Sequence, residues 1–261
     1  MRKGPRNLPF LSVLASWTIT RNPLSGQQKR GRLMVGSLEE AQTALDYIRS
    51  RMEKACRRFG APPREVDLIA VSKTVPGKAL EPFLAAGQRV FGENRVQEAK
   101  EKWPALCARF PDIELHLIGP LQTNKAREAV ALFDVIETLD RDKLAGILAA
   151  EMARAEKRLA CFVQVNIGGE AQKAGIAAAE TVAFVERCRN LHGLDVVGLM
   201  CIPPEGKAPG PYFAHLAMLA REAGLDRLSM GMSGDFETAI AMGATHVRVG
   251  SALFGKRPPL A

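Results

Sequence analysis

Apolar positions along the chain follow two alternating rhythms. Ala41, Leu45, Ile48, Met52, Cys56 and Phe59 recur at steps of three and four, which predicts an amphipathic helix over 37–59. Ser37-Leu38-Glu39-Glu40 ahead of them reads as a capping box. Short, continuously apolar runs then take over: Asp67–Ser72, Arg89–Gly92, Glu114–Gly119, Val135–Thr138, Cys161–Ile167, Asp195–Met200, Arg227–Gly231 and His246–Gly250. Between them, segments 78–86, 94–109, 122–130, 140–158, 177–190, 211–223 and 234–242 can be helical. Such unbroken runs suit strands covered on both faces of a parallel sheet. Eight strands alternating with helices predict an α/β fold, a (β/α)8 TIM barrel formed as a single domain over 37–261. The helix over 37–59 would cover the seam that a helix after the eighth strand normally covers. An open doubly wound sheet is the competitor, but the GxGxxG turn it usually carries after an early strand is absent.

Composition places the chain among ordinary globular proteins, with 47% apolar and 25% charged residues in 261. The net charge of +8 suggests nucleic acid until it is located. Residues 1–36 hold seven basic residues and no acidic one, and from residue 37 onward 29 basic side chains face 28 acidic ones. No basic stripe interleaved with aromatics remains, so no nucleic-acid partner is expected. The apolar run Leu8–Ile19 is too short to span a bilayer, and no membrane partner is expected. Residues 1–36 read as a basic, disordered extension; a secretory signal with Val13 and Ala15 as a poor cleavage pair is the alternative. The five cysteines form no CxxC and the four histidines no HExxH, so neither a disulfide scaffold nor a metal site is expected. That cysteine usage suits a reducing, cytoplasmic setting.

In a barrel of this kind the chemistry gathers where the strands end. Lys73 directly follows the apolar run of the first strand. Partial desolvation there would disfavour its charged form and expose an amine that forms Schiff bases with aldehydes. A snorkelling lysine is the plain alternative. After the seventh strand, Ser229-x-Gly231-x-Ser233-Gly234 leads into a helix, and Gly250-Ser251 follows the eighth. Backbone N–H groups and serine hydroxyls so placed can cradle a phosphate, although Ser233 could equally be only a helix cap. An aldehyde-reactive amine facing a phosphate cradle matches pyridoxal 5′-phosphate (PLP), which carries both groups. Arg248, flanked by apolar Val247 and Val249, should point into the barrel mouth. Beside a pyridine nitrogen it would donate a hydrogen bond and discourage ring protonation; pairing with Glu237 or Asp235 is the alternative.

These residues sit in segments that closely resemble the pyridoxal phosphate homeostasis (YggS/PROSC-type) proteins. The matching segments are Ala70–Thr74, Phe91–Glu98, His116–Lys125, Gly198–Met200, Leu228–Asp235 and Val247–Gly255, and the resemblance spans roughly 38–257. It implies a barrel similar to the cofactor-binding N-terminal domain of alanine racemase, with Lys73 holding PLP as an internal aldimine. It further implies phosphate contacts from Ser229, Ser233, Gly250 and Ser251, with Arg248 at the pyridine nitrogen and Asn94 beside the ring. Arg95 stands where the family often has tyrosine, and Ser251 where it usually has threonine.

A PLP enzyme acting on amino acids needs a second acid or base across the substrate carbon. In alanine racemase a tyrosine of a separate domain supplies it. Here Tyr47 and Tyr212 both fall on predicted helices. The expectation is a cofactor carrier and buffer without substrate turnover, able to pass PLP to apoenzymes in transient contacts. Two alternatives stay open: an enzyme completed by a partner chain or by Cys201, His116 or Lys125, and a cofactor-free aldolase using Lys73.

Overall fold

The computed structural model describes residues 36–58 and 66–255. Apart from Gly36, the readings made for the basic head lie outside the described residues, as does Phe59. Helix α1 (Leu38–Arg58) opens with the expected reciprocal cap. The Glu40 amide donates to Ser37 Oγ, and the Ser37 amide donates to Glu40 Oε2, both at 3.2 Å. Its buried stripe is Ala41, Leu45, Ile48, Met52 and Ala55, with Cys56 at the half-buried margin.

The strands are β1 (Asp67–Val71), β2 (Val90–Glu93), β3 (Glu114–Leu117), β4 (Val135–Leu139), β5 (Ala160–Asn166), β6 (Ile176–Ala177), β7 (Asp195–Cys201), β8 (Arg227–Met232) and β9 (His246–Val249). All but β6 form a closed parallel barrel in the order β1-β2-β3-β4-β5-β7-β8-β9, with β9 returning to β1. Helices α2 (Gly77–Ala85), α3 (Val96–Cys107), α4 (Ala126–Leu132), α5 (Asp142–Arg154), α6 (Thr181–Asn190), α7 (Gly210–Glu222) and α8 (Phe236–Ala241) lie between successive barrel strands. The fold is therefore the (β/α)8 barrel that the apolar rhythm predicts. Two short elements lack a counterpart in the sequence reading: β6, which adds to the end of β5, and α9 (Ser251–Phe254).

Helix α1 packs against α2, α8 and α9 and so covers the junction between β9 and β1. Most buried apolar mass, including Trp103, Phe83, Phe91 and Phe213, fills the layer between strands and helices. The inside of the barrel is different. It holds a small apolar cluster of Val135, Phe162 and Met200, and beside it a set of buried charged groups.

Candidate functional site

The residues expected at the site fall on four neighbouring strands. Asn94 follows β2, Lys73 follows β1, Arg248 to Ser251 close β9 and begin α9, and Ser229 to Ser233 span the end of β8. Parallel pairing sets these ends side by side: Val71 registers with Gly92, Ile69 with Arg248, and Ser229 with His246. Lys73 is half-buried at the rim, in a turn that also contains Thr74. Thr74 has φ 64°, a left-handed conformation costly for a β-branched residue. The turn is tied to β2 by the Ser72 amide, which donates to Gly92 O at 3.0 Å. Asn94 is half-buried, and its backbone rests against Gly119, where a Cβ would lie 2.2 Å from Asn94 O. Only glycine allows that approach.

The serine-bearing loops after β8 and β9 touch. The Gly250 amide donates to Ser233 Oγ at 3.3 Å, joining the turn after β8 to the start of α9. Ser233 does not cap α8; Asp235 occupies the N-cap position, and its carboxylate accepts the Met232 amide at 2.6 Å. Gly231 adopts φ 91° with a Cβ position only 2.9 Å from Phe236 Cα, so this glycine serves the tight turn onto α8. Ser251 is exposed and forms the first residue of α9.

Ser229 stands apart from these loops. It is fully buried inside the barrel, donating to Glu137 Oε2 at 2.7 Å and accepting from Arg248 Nη1 at 2.6 Å. Arg248 is only 4% exposed, and its Nη2 donates to Cys201 O at 2.9 Å. Neither carboxylate considered from the sequence pairs with it. Glu237 binds Arg51 at 2.9 Å, whereas the carboxylate near Arg248 is Glu137, at 3.9 Å. Hydrogen bonds among the described residues engage only its two terminal nitrogens, which leaves N–H groups of the guanidinium for a ligand.

Glu137 and His116 extend this chain across the barrel. Their strands, β4 and β3, are not neighbours of β8 or β9, so the contacts run through the interior. His116 is clamped between carboxylates, with Nδ1 2.7 Å from Glu137 and Nε2 2.7 Å from Glu114. Burial pulls its pKa down, but the hydrogen bonds and charges of Glu114 and Glu137 outweigh burial and lift it to about 9. Burial likewise pushes Glu137 up, yet His116, Arg248 and Ser229 hold it below the usual carboxylate range. Both ring nitrogens of buried His116 are thus engaged by carboxylates. Glu137 escapes a sequence reading because one carboxylate within an apolar run gives no hint of partners on distant strands.

The groups considered as a second acid lie away from the rim or are otherwise engaged. The Cys201 thiol is fully buried and pushed up to about 12 by burial. Lys125, in a 3-10 turn, pairs with Glu128 at 3.0 Å. Tyr47 sits exposed on α1 and Tyr212 packs on α7.

Residues 43–258 match the family model of the alanine racemase N-terminal domain. The pyridoxal phosphate homeostasis proteins of Vibrio cholerae and Escherichia coli are both 39% identical to this chain. The first alignment covers 84% of this chain and 98% of the relative, the second 82% and 95%. PipY of Synechococcus elongatus, solved with PLP bound, superposes with a TM-score of 0.71 at 38% identity, covering 82% of this chain and all of that one. Alanine racemase of Clostridium difficile, 13% identical with a TM-score of 0.64, shares the fold over 87% of this chain and 60% of its own. The chain belongs to the pyridoxal phosphate homeostasis proteins, a family built on the alanine racemase N-terminal domain.

Proposed function

We propose that this protein binds PLP at the rim formed by β2, β1, β9 and β8, keeps the free aldehyde low, and releases the cofactor to apoenzymes in transient contacts. One observation carries this reading: an amine, two serine-bearing loops in mutual contact and a buried guanidinium lie at the ends of three consecutive strands, β1, β9 and β8. The donor set fits the cofactor group by group. When bound, PLP supplies an aldehyde that condenses with an amine and a ring that accepts electron density.

In this reading the Lys73 amine is the covalent attachment point. Ser233, Ser251 and the backbone around Gly250 grip the phosphate, and Asn94 lies beside the ring. Arg248 offers its remaining N–H groups to the ring nitrogen. A fixed cation there keeps a proton off that nitrogen and makes the ring a weak electron sink, which suits storage better than amino-acid chemistry. Ser229 is a positioning residue: it holds Arg248 against Glu137 from inside the barrel and does not face the phosphate.

Relatives named for PLP homeostasis and a neighbour solved with PLP support the binding role. The absence of substrate turnover is our inference, supported by the buried Cys201, the clamped His116 and the paired Lys125. A cytoplasmic setting is supported by five free cysteines among the described residues. No described helix is long and apolar enough to cross a membrane. We read residues 37–261 as the cofactor-binding domain.

The test is visible absorption of the purified protein with added PLP. A band that borohydride bleaches, with a matching mass increase on the peptide containing Lys73 and no band in Lys73→Ala, is the expected result. A protein that takes up no PLP would overturn the reading, and Lys73-dependent racemisation of an amino acid would overturn the carrier role.

A further inference from the structure

The turn that carries Lys73 is held by a second lysine. Lys102, on α3 and with a side chain only 6% exposed, donates to Ser72 O at 2.9 Å and to Val75 O at 3.0 Å. These carbonyls bracket Lys73 and Thr74. Its third hydrogen bond goes to Glu98 Oε1 at 3.1 Å, and Glu98 also accepts the amide of Thr74. The same ammonium lies 2.7 Å from Glu93, a fully buried carboxylate at the end of β2. Glu93 is fixed in turn by Ser72 Oγ at 2.6 Å and Trp103 Nε1 at 3.0 Å.

This arrangement is costly for a surface turn. It buries an ammonium and a carboxylate, and it keeps Thr74 at φ 64°, where a β-branched side chain is strained. Strain of this kind persists only where surrounding contacts over-determine it. The contacts here converge on the backbone on both sides of one residue, Lys73. We infer that Lys102, with Glu98, is a positioning residue for Lys73: the pair fixes the turn so that the amine is pre-oriented for attack on an aldehyde carbon. This inference rests on the PLP-binding reading above.

Pre-orientation makes a prediction that fold maintenance does not. The phosphate loops and Arg248 lie on β8 and β9, whereas Lys102 acts on the turn after β1. Loosening that turn should therefore slow covalent capture without weakening recognition of ring and phosphate. Pyridoxine 5′-phosphate separates the two, because it has an alcohol where PLP has the aldehyde and cannot condense with an amine.

The experiment compares wild type, Lys102→Gln and Glu98→Gln. Stopped-flow absorbance follows PLP capture, and calorimetry follows pyridoxine 5′-phosphate binding. Capture should slow about tenfold in Lys102→Gln and by a smaller factor in Glu98→Gln, with pyridoxine 5′-phosphate affinity within about twofold of wild type. Thr74→Gly, which adopts the left-handed conformation freely, should recover part of the capture rate when combined with Lys102→Gln. Glu98→Gln leaves the buried Glu93–Lys102 pair in place and carries the test if Lys102→Gln does not fold. Unchanged capture rates, or equal losses for both ligands, would overturn the inference. Wild type that binds pyridoxine 5′-phosphate but never captures PLP would instead sink the covalent role of Lys73 from which it starts.

Discussion

At the scale of single residues, an alternation of charge runs from half-exposed Glu114 at the start of β3 into the buried centre of the barrel: Glu114, His116, Glu137 and Arg248 succeed one another. His116 has a folded-state pKa of about 9 against an ordinary value of 6.5. A raised value means that its contribution is complete below about pH 6.5 and is lost as pH rises through about 9. Because the group is buried, the loss should be on the order of 3 kcal/mol. Chemical denaturation between pH 6 and pH 10 checks this. Wild type should lose stability across that window, whereas His116→Gln starts lower at pH 6 and stays flatter. Parallel curves would show that the imidazolium does not hold Glu137. This cation was only half legible in the sequence: His116 stands in a recognisable segment, but Ser229 and Glu137 meet across 92 residues, a separation over which no local pattern reports.

At the scale of elements, the loops after β8 and β9 separate stability from binding. Gly231 lies at positive φ against the first turn of α8, so Gly231→Ala meets both left-handed strain and a backbone clash. It should cost about 2 kcal/mol of folding free energy. Ser233 is half-buried and its hydroxyl accepts the Gly250 amide. Ser233→Ala should change stability by less than about 1 kcal/mol but lower PLP affinity by about 1.5–3 kcal/mol, the worth of a hydrogen bond to a charged group. Thermal melts and cofactor titrations of the two variants decide it; a Ser233→Ala protein with undiminished affinity would remove this serine from the phosphate grip. The barrel strands are legible because each is a short, mainly apolar run, and the helices between them because each fills a gap of helical length. β6 leaves no sequence signal because two residues carry no periodicity, and its pairing depends on Gly175, at φ 119°, folding the chain back against Asn166. In sequence Ser229 lies near the loop serines. Strand pairing with His246 instead turns it inward, toward Glu137 and Arg248.

At the scale of the whole molecule, the proposed PLP site straddles the seam where the barrel closes on itself. Lys73 follows the first strand and Ser251 the last, and these strands pair along Asp67 to Ala70. Helix α1, which precedes the barrel in sequence, seals that junction through fully buried Leu45 and Ile48 and reaches α8 through the Arg51–Glu237 pair. Closure and cofactor binding should therefore be linked. A ligand that grips both β1 and β9 binds the closed barrel and not the unfolded chain, so at a hundred times its dissociation constant it adds about 2.7 kcal/mol. Leu45→Ala, which removes a buried side chain from the seal, should lower stability by about 2–5 kcal/mol. PLP at that excess should restore much of the deficit. The same ligand concentration should stabilise the double variant Leu45→Ala/Lys73→Ala far less, because the proposed covalent hold on β1 would be gone while the proposed phosphate grip on β9 would persist. Melting temperatures of wild type, Lys73→Ala, Leu45→Ala and the double variant, with and without PLP, form a closed cycle. Equal stabilisation of Leu45→Ala with and without Lys73 would mean that the cofactor does not bridge the seam.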